Sequence, residues 1–284
     1  MRKRSLLSSL AFVFAWAALG GAVPTSSASA LSLDEAKQNG VRLGFPNEPP
    51  NTYIGDDGKV TGAYNDLVVA VLGKIGVTKV EGVVMDFASL IPGLQANRLD
   101  IIPAIYIRPA RCEQVAFSEP VERGGTAFLV LKGNPKNLHS YDDVKNSDAV
   151  VGVMAGAVEH GYATKAGIPE DRIVPLQDQA SLMEALKTNR IDVVILTPSS
   201  VSMMAETSGG VAERAEPFSS PRFASAYGGI AFRKDDAELL AAFNAALKDY
   251  IGTPEFMETM KAVNYTADML PGDMTTAEAC ALEQ

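Results

Sequence analysis

The sequence predicts an α/β fold of two lobes, with the chain crossing between the lobes twice. Two observations lead there. Short apolar runs alternate with helix-spaced patterns over residues 41–107 and again over 149–196, the rhythm of strand–helix units on a largely parallel sheet. Two continuous apolar strands, residues 126–131 and 227–232, bracket the second series, as expected where a chain leaves one lobe and later returns. The expected division is residues 31–128 with 230–284 in one lobe, and 129–229 in the other.

Residues 1–30 read as a secretory leader. Arg2, Lys3 and Arg4 make a basic start, and Ala28-Ser29-Ala30 is a small-residue cleavage pattern. The apolar run at 6–19 falls short of the ~20 residues a membrane-spanning helix needs. The mature chain is expected to start at Leu31 and to lie in the periplasm. No Cys near the cleavage point is available for a lipid anchor.

After the leader, residues 41–45 read as a buried strand. Residues 65–75 carry Leu67, Val68, Val71, Leu72 and Ile75 at helical spacing. Strands follow at 79–85 and 101–107, with a helix at 89–96 between them. The strand at 126–131 runs into Gly133-Asn134-Pro135, a turn signal. The second series alternates strands at 149–153, 173–176 and 193–196 with helices at 159–166 and 181–188. The strand at 227–232 and helices at 237–250 and 254–262 complete the pattern.

The formal net charge is −9, and three basic residues leave with the leader. That argues against nucleic acid or an anionic membrane as partner. A cationic side chain in a cleft stands out against such a background. Cys112 and Cys280 are the two cysteines. An even count in an oxidising compartment points to one disulfide, tying the tail to the turn that carries Arg111.

The sequence contains two histidines, His139 and His160, neither spaced with further metal ligands. It has no G-x-S-x-G, phosphate-binding glycine loop, C-x-x-C or G-x-G-x-x-G. No metal, cofactor or catalytic set is expected. Arg111 follows a strand in the turn Arg108-Pro109-Ala110. A guanidinium there suits a bidentate clamp on a carboxylate; on spacing alone, a surface salt bridge is equally compatible. Arg108 reads as exposed. Glu48, in Asn47-Glu48-Pro49-Pro50 after the first strand, is placed to meet a cationic group or to be a solvated loop acid. Phe45, Tyr53 and Tyr106 lie at or just after strand ends, as walls for a delocalised cation or as core.

GFPNEPPNTYIGDDGKVTGAYNDL, SLIPGLQANRLDIIPAIYIRPARCEQVAFSEPV and GGIAFRKDD together resemble the extracellular solute-binding proteins of polar amino acid ABC importers. The resemblance implies a hinge-closing, two-lobe periplasmic binding protein fold (type II), acting as a monomer with a membrane permease as partner. It places Arg111 on a ligand carboxylate. Ordinary amino acid binders have Ser or Thr at Tyr106, Asp at Thr197 and a Gly–Ser/Thr loop at Gly156; this chain has Gly156-Ala157-Val158. A plain α-ammonium would lose its partners, at roughly 1–3 kcal/mol each. A narrower similarity, to periplasmic ectoine/hydroxyectoine-binding proteins, implies a zwitterion with Glu48 on its ring N–H groups and Phe45, Tyr53 and Tyr106 around the ring. A betaine or a polar or cyclic amino acid is the alternative ligand. A cyclohexadienyl dehydratase-like enzyme is the alternative function; it would need a cleft acid, for which Glu48 is the one obvious candidate.

Overall fold

A computed structural model describes residues 30–219 and 226–282; the expected leader lies outside them. The first sheet has the order β4 (Val80–Val84), β1 (Val41–Phe45), β5 (Ile101–Tyr106), β13 (Ala226–Phe232) and β6 (Ala116–Phe117), with β7 (Glu122–Gly124) also paired to β13. β1 is parallel to β4 and β5, and β13 is antiparallel to its partners. The second sheet has the order β10 (Ile173–Leu176), β9 (Val151–Met154), β11 (Val193–Leu196), β8 (Ala127–Leu131) and β12 (Ala212–Arg214). Its β9, β10 and β11 run parallel, and β8 runs against β11 and β12.

The crossings explain the antiparallel strands. The chain enters the second sheet through β8 and re-enters the first through β13. Each is paired within one sheet along its length, so the expected lobe limits at 128/129 and 229/230 fall inside strands. Alternation assigns the strand faces. In β11, Val193 and Ile195 join one buried cluster, while Val194 and Leu196 join the other. The first sheet packs α2 (Ala63–Lys74) and α9 (Ala237–Tyr250) on one face and α3 (Leu90–Gln95) on the other. α9 buries Leu239, Phe243, Leu247 and Tyr250, one stripe at three- and four-residue spacing.

Of the elements not expected from sequence, three sets bear on the site and its supports. The hairpin of β2 (Tyr53–Ile54) and β3 (Val60–Thr61) is too short to show a period. α8 (Pro198–Thr207) does carry start signals, with Thr197 as N-cap and Pro198 in the first turn, but its Ser-rich opening has no apolar face. The third set is α4 (Pro109–Cys112) and α11 (Thr276–Ala281), one or two turns each. Cys112 of α4 is bonded to Cys280 of α11, 168 residues apart. The Thr276 hydroxyl also donates to the Ser118 carbonyl at 2.7 Å.

A second anchor holds the start of the described chain. Arg233 pairs with Asp100 at 3.0 Å and with Asp236 at 2.9 Å, and the Leu31 N–H donates to Asp236 at 2.7 Å.

Because the bridge closes so long a loop, replacing both Cys112 and Cys280 by Ser should lower stability by roughly 2–5 kcal/mol. Urea denaturation of the oxidised protein and the variant measures it; coincident midpoints would show that the staple contributes nothing.

Candidate functional site

Chain direction brings the site together, because five connections leave the C-terminal ends of parallel strands and converge between the sheets, where such folds bind ligands. β1 leads to Glu48 and Asn51, β4 to Phe87, and β5 ends at Tyr106 before the turn to Arg111. From the other sheet, β9 leads to Gly156 and α6 (Val158–Ala166), and β11 leads to Thr197 and α8. A cavity of about 250 Å³ lies between them.

Arg111 lines this cavity and joins the two halves. One of its terminal nitrogens donates to the Tyr106 carbonyl at 2.8 Å and the other to the Gly156 carbonyl at 3.1 Å. Its guanidinium lies 5.5 Å from the centre of the Phe87 ring. Five N–H donors are available to an arginine, so donors remain for a ligand. Burial lowers the Arg111 pKa to about 10, with Glu159 pulling the other way; the group stays charged at neutral pH.

Glu48 is buried rather than solvated, at 9% exposure. Its carboxylate accepts from the Ser200 hydroxyl at 2.6 Å. Burial pushes its pKa up to about 6, against hydrogen bonds from Ser200 and Asn51. Asn51 donates to Ser200 at 3.0 Å and accepts from Ser199 at 2.9 Å. Gln179 donates to the Pro49 carbonyl at 3.0 Å. The loop carrying Glu48 is therefore tied across the cleft to the start of α8. Thr197 lines the cavity, but its hydroxyl is engaged with Ser200 at 2.9 Å.

The aromatic set differs from expectation. Tyr106 does line the cavity, its hydroxyl donating to the Gly125 carbonyl at 3.0 Å. Phe45 is fully buried and does not line it; its ring packs against Gly82. Tyr53 sits half-buried in the β2–β3 hairpin, outside the cavity wall. Phe87 and Tyr64 take their places on the wall. Phe87 lies in the turn before α3 and was legible only as the residue following a strand end. Arg108 is half-buried rather than exposed, 4.9 Å from the Tyr162 ring centre.

Two further acids reach the cavity, so Glu48 is not the sole candidate there. Glu122, in β7, accepts a short hydrogen bond from the Tyr64 hydroxyl. Glu159, in the first turn of α6, is 2% exposed. Burial, with a smaller contribution from Glu48, pushes both up to about 7. Neither stands out in the sequence, because acidic residues are mostly exposed.

The sheet pairings, the cleft between them and a charged, aromatic-walled cavity define a two-lobe solute-binding fold. The model of bacterial extracellular solute-binding proteins, family 3, matches residues 41–262, and the chain belongs to that family. It is 36% identical over 275 residues to a probable amino-acid ABC transporter periplasmic-binding protein, y4tE, of Sinorhizobium fredii, covering 93% of this chain and 91% of the relative. Its fold is similar to the crystal structure of EhuB in complex with hydroxyectoine, with TM-score 0.81 and 33% identity over 89% of this chain and 99% of that one. It is also similar to the ancestral amino acid-binding protein AncCDT-1, a precursor of cyclohexadienyl dehydratase, with TM-score 0.70 and 27% identity over 81% and 97% of the two chains.

Gly156 brings the second lobe's backbone close to Ala88 across the cleft. Its φ is +80°, and a Cβ there would stand 2.9 Å from the Ala88 Cα. An L side chain at such a φ costs about 1–2 kcal/mol. That strain burdens free and bound protein alike, but the contact with Ala88 opposes closure, so Gly156→Ala should weaken solute binding by roughly tenfold in calorimetric titration. Unchanged affinity would show that Gly156 and Ala88 do not meet when solute is bound.

Proposed function

We propose that this chain is the periplasmic solute-binding component of an amino-acid-type ABC importer and that its ligand is a compact zwitterion, ectoine or 5-hydroxyectoine. The observation that carries this reading is Arg111 and Glu48 lining one cavity with Phe87 and Tyr106. Arg111 takes the carboxylate through its unused N–H groups. Glu48 takes the N–H groups of the ring amidinium, whose faces pack on the aromatic walls at ~0.5–2 kcal/mol each. Ala157 and Thr197 form part of the opposing wall, and Gly156, which does not line the cavity, acts through its carbonyl on Arg111. The likeness to EhuB with hydroxyectoine supports the ligand.

In this reading one lobe comprises residues 30–125 with 226–282, and the other 126–219. Ligand contacts on both lobes favour the closed form, and the permease recognises that form. The protein acts as a monomer and is exported by its first 30 residues.

The buried acids at about 6 to 7 and the likeness to AncCDT-1 favour a second reading, a dehydratase acting on a cyclohexadienyl acid. Release of product from prephenate would establish it.

Protein isolated after export, with Leu31 as its first residue, should give saturable heat with ectoine at micromolar concentration. Arg111→Ala removes the partner of a buried carboxylate and should cost at least ~2 kcal/mol, about thirtyfold in affinity. Absence of heat at millimolar ectoine with folded protein would refute the ligand assignment, and retained affinity in Arg111→Ala would refute the clamp.

A further inference from the structure

The cavity holds more acid than one zwitterion needs. Glu48 follows β1, Glu122 lies in β7 and Glu159 opens α6, and all three line it. Tyr106 sits in the field of all three, its pKa raised by burial first and then by Glu122, Glu159 and Glu48. Each carboxylate has two oxygens able to accept several hydrogen bonds. Glu48 accepts from Ser200 and Glu122 from Tyr64. Glu159, 2% exposed, accepts from its own main-chain N–H and borders the cavity. Buried acceptor capacity left unfilled costs about 1–3 kcal/mol per group.

We propose that Glu122 and Glu159 are specificity-determining residues which, with Glu48, reserve the cavity for a zwitterion whose cationic end carries N–H donors. Such a group fills the spare acceptors on several sides at once. A quaternary ammonium of the same net charge has no N–H to give and leaves them empty. The inference rests on this cavity being the ligand site, as in the reading above, and goes beyond it in assigning selectivity to two acids outside the Arg111–Glu48 pair.

Other charged groups around these acids do not cancel the demand. Glu122 is faced by Tyr64 from α2, by Glu48, and by Tyr106 and Tyr265, both of whose hydroxyls it perturbs. Glu159 is faced by Arg111 and Arg108, which lower its pKa, and by Glu48, which raises it; burial outweighs them. Tyr106 and Tyr141 lie within its field. Both acids stay raised to about 7 from an ordinary 4.5. The contribution of these two acids to the stability of the folded, ligand-free protein is therefore lost as pH rises from about 4.5 through about 7.

The test has two arms. In the first, ligand-free Glu122→Gln and Glu159→Gln are melted at pH 5 and pH 8. The neutral amide mimics the protonated acid, so each variant should match the wild type at pH 5 and melt at least about 2 °C higher at pH 8. A lower melting temperature at pH 8 in both variants would overturn the inference and assign the acids a structural role. In the second, ectoine and the N,N-dimethylated proline betaine are titrated into all three proteins. Wild type should favour ectoine, and each Gln variant should lose at least about tenfold in that preference. An unchanged preference in both variants overturns the inference. If wild type does not bind ectoine, the ligand assignment falls, while the melting arm still decides the role of the two acids.

Discussion

A guanidinium taken out of water must be met by acceptors, and Arg111 is met from both lobes. Tyr106 offers a carbonyl from the first sheet and Gly156 offers one from the second. Two hydrogen bonds to carbonyls balance only part of a buried charge. In the proposed reading a ligand carboxylate completes the set. Much of the surrounding architecture serves that geometry. Pro109 opens the short helix carrying Arg111, the bridge from Cys112 fixes that helix to the tail, and Gly156 lets the opposing backbone come close.

The rest of the site answers the same constraint with the opposite sign. Three carboxylates surround the space into which Arg111 points its charge. Two of them belong to the first lobe and one to the second. Ser199 and Ser200 hold the Glu48 loop from across the cleft. In the proposed reading recognition and closure share residues: a ligand cation near Glu48 would also sit beside the hydrogen bonds that join the lobes. This is how a small solute, with few atoms to offer, can bias two large bodies toward one arrangement.

The two-lobe α/β order was legible because strand and helix periods differ and because 126–131 and 227–232 are apolar throughout. Arg111 and Glu48 were legible because they follow strand ends, and Tyr106 because it closes β5, although Phe45, closing β1 in the same way, faces the core. The remaining aromatic positions were not. Phe45 lies on a strand, where its side chain belongs to the core, and Tyr53 points from a hairpin outside the wall. Phe87 and Tyr64 reach the cavity only through the packing of α3 and α2, which local pattern does not carry. Glu122 and Glu159 were hidden for another reason. An acid near a strand or helix start reads as solvated, and only tertiary structure shows the water gone.

The central claim is that the cavity holds one zwitterion, carboxylate on Arg111 and an N–H-bearing cation among the acids. Native mass spectrometry of the exported protein purified without refolding, followed by identification of the released molecule, tests it most directly. A single bound small molecule with a carboxylate and a cationic N–H group, of the mass of ectoine or hydroxyectoine, is expected. A co-purified solute lacking a carboxylate would contradict it.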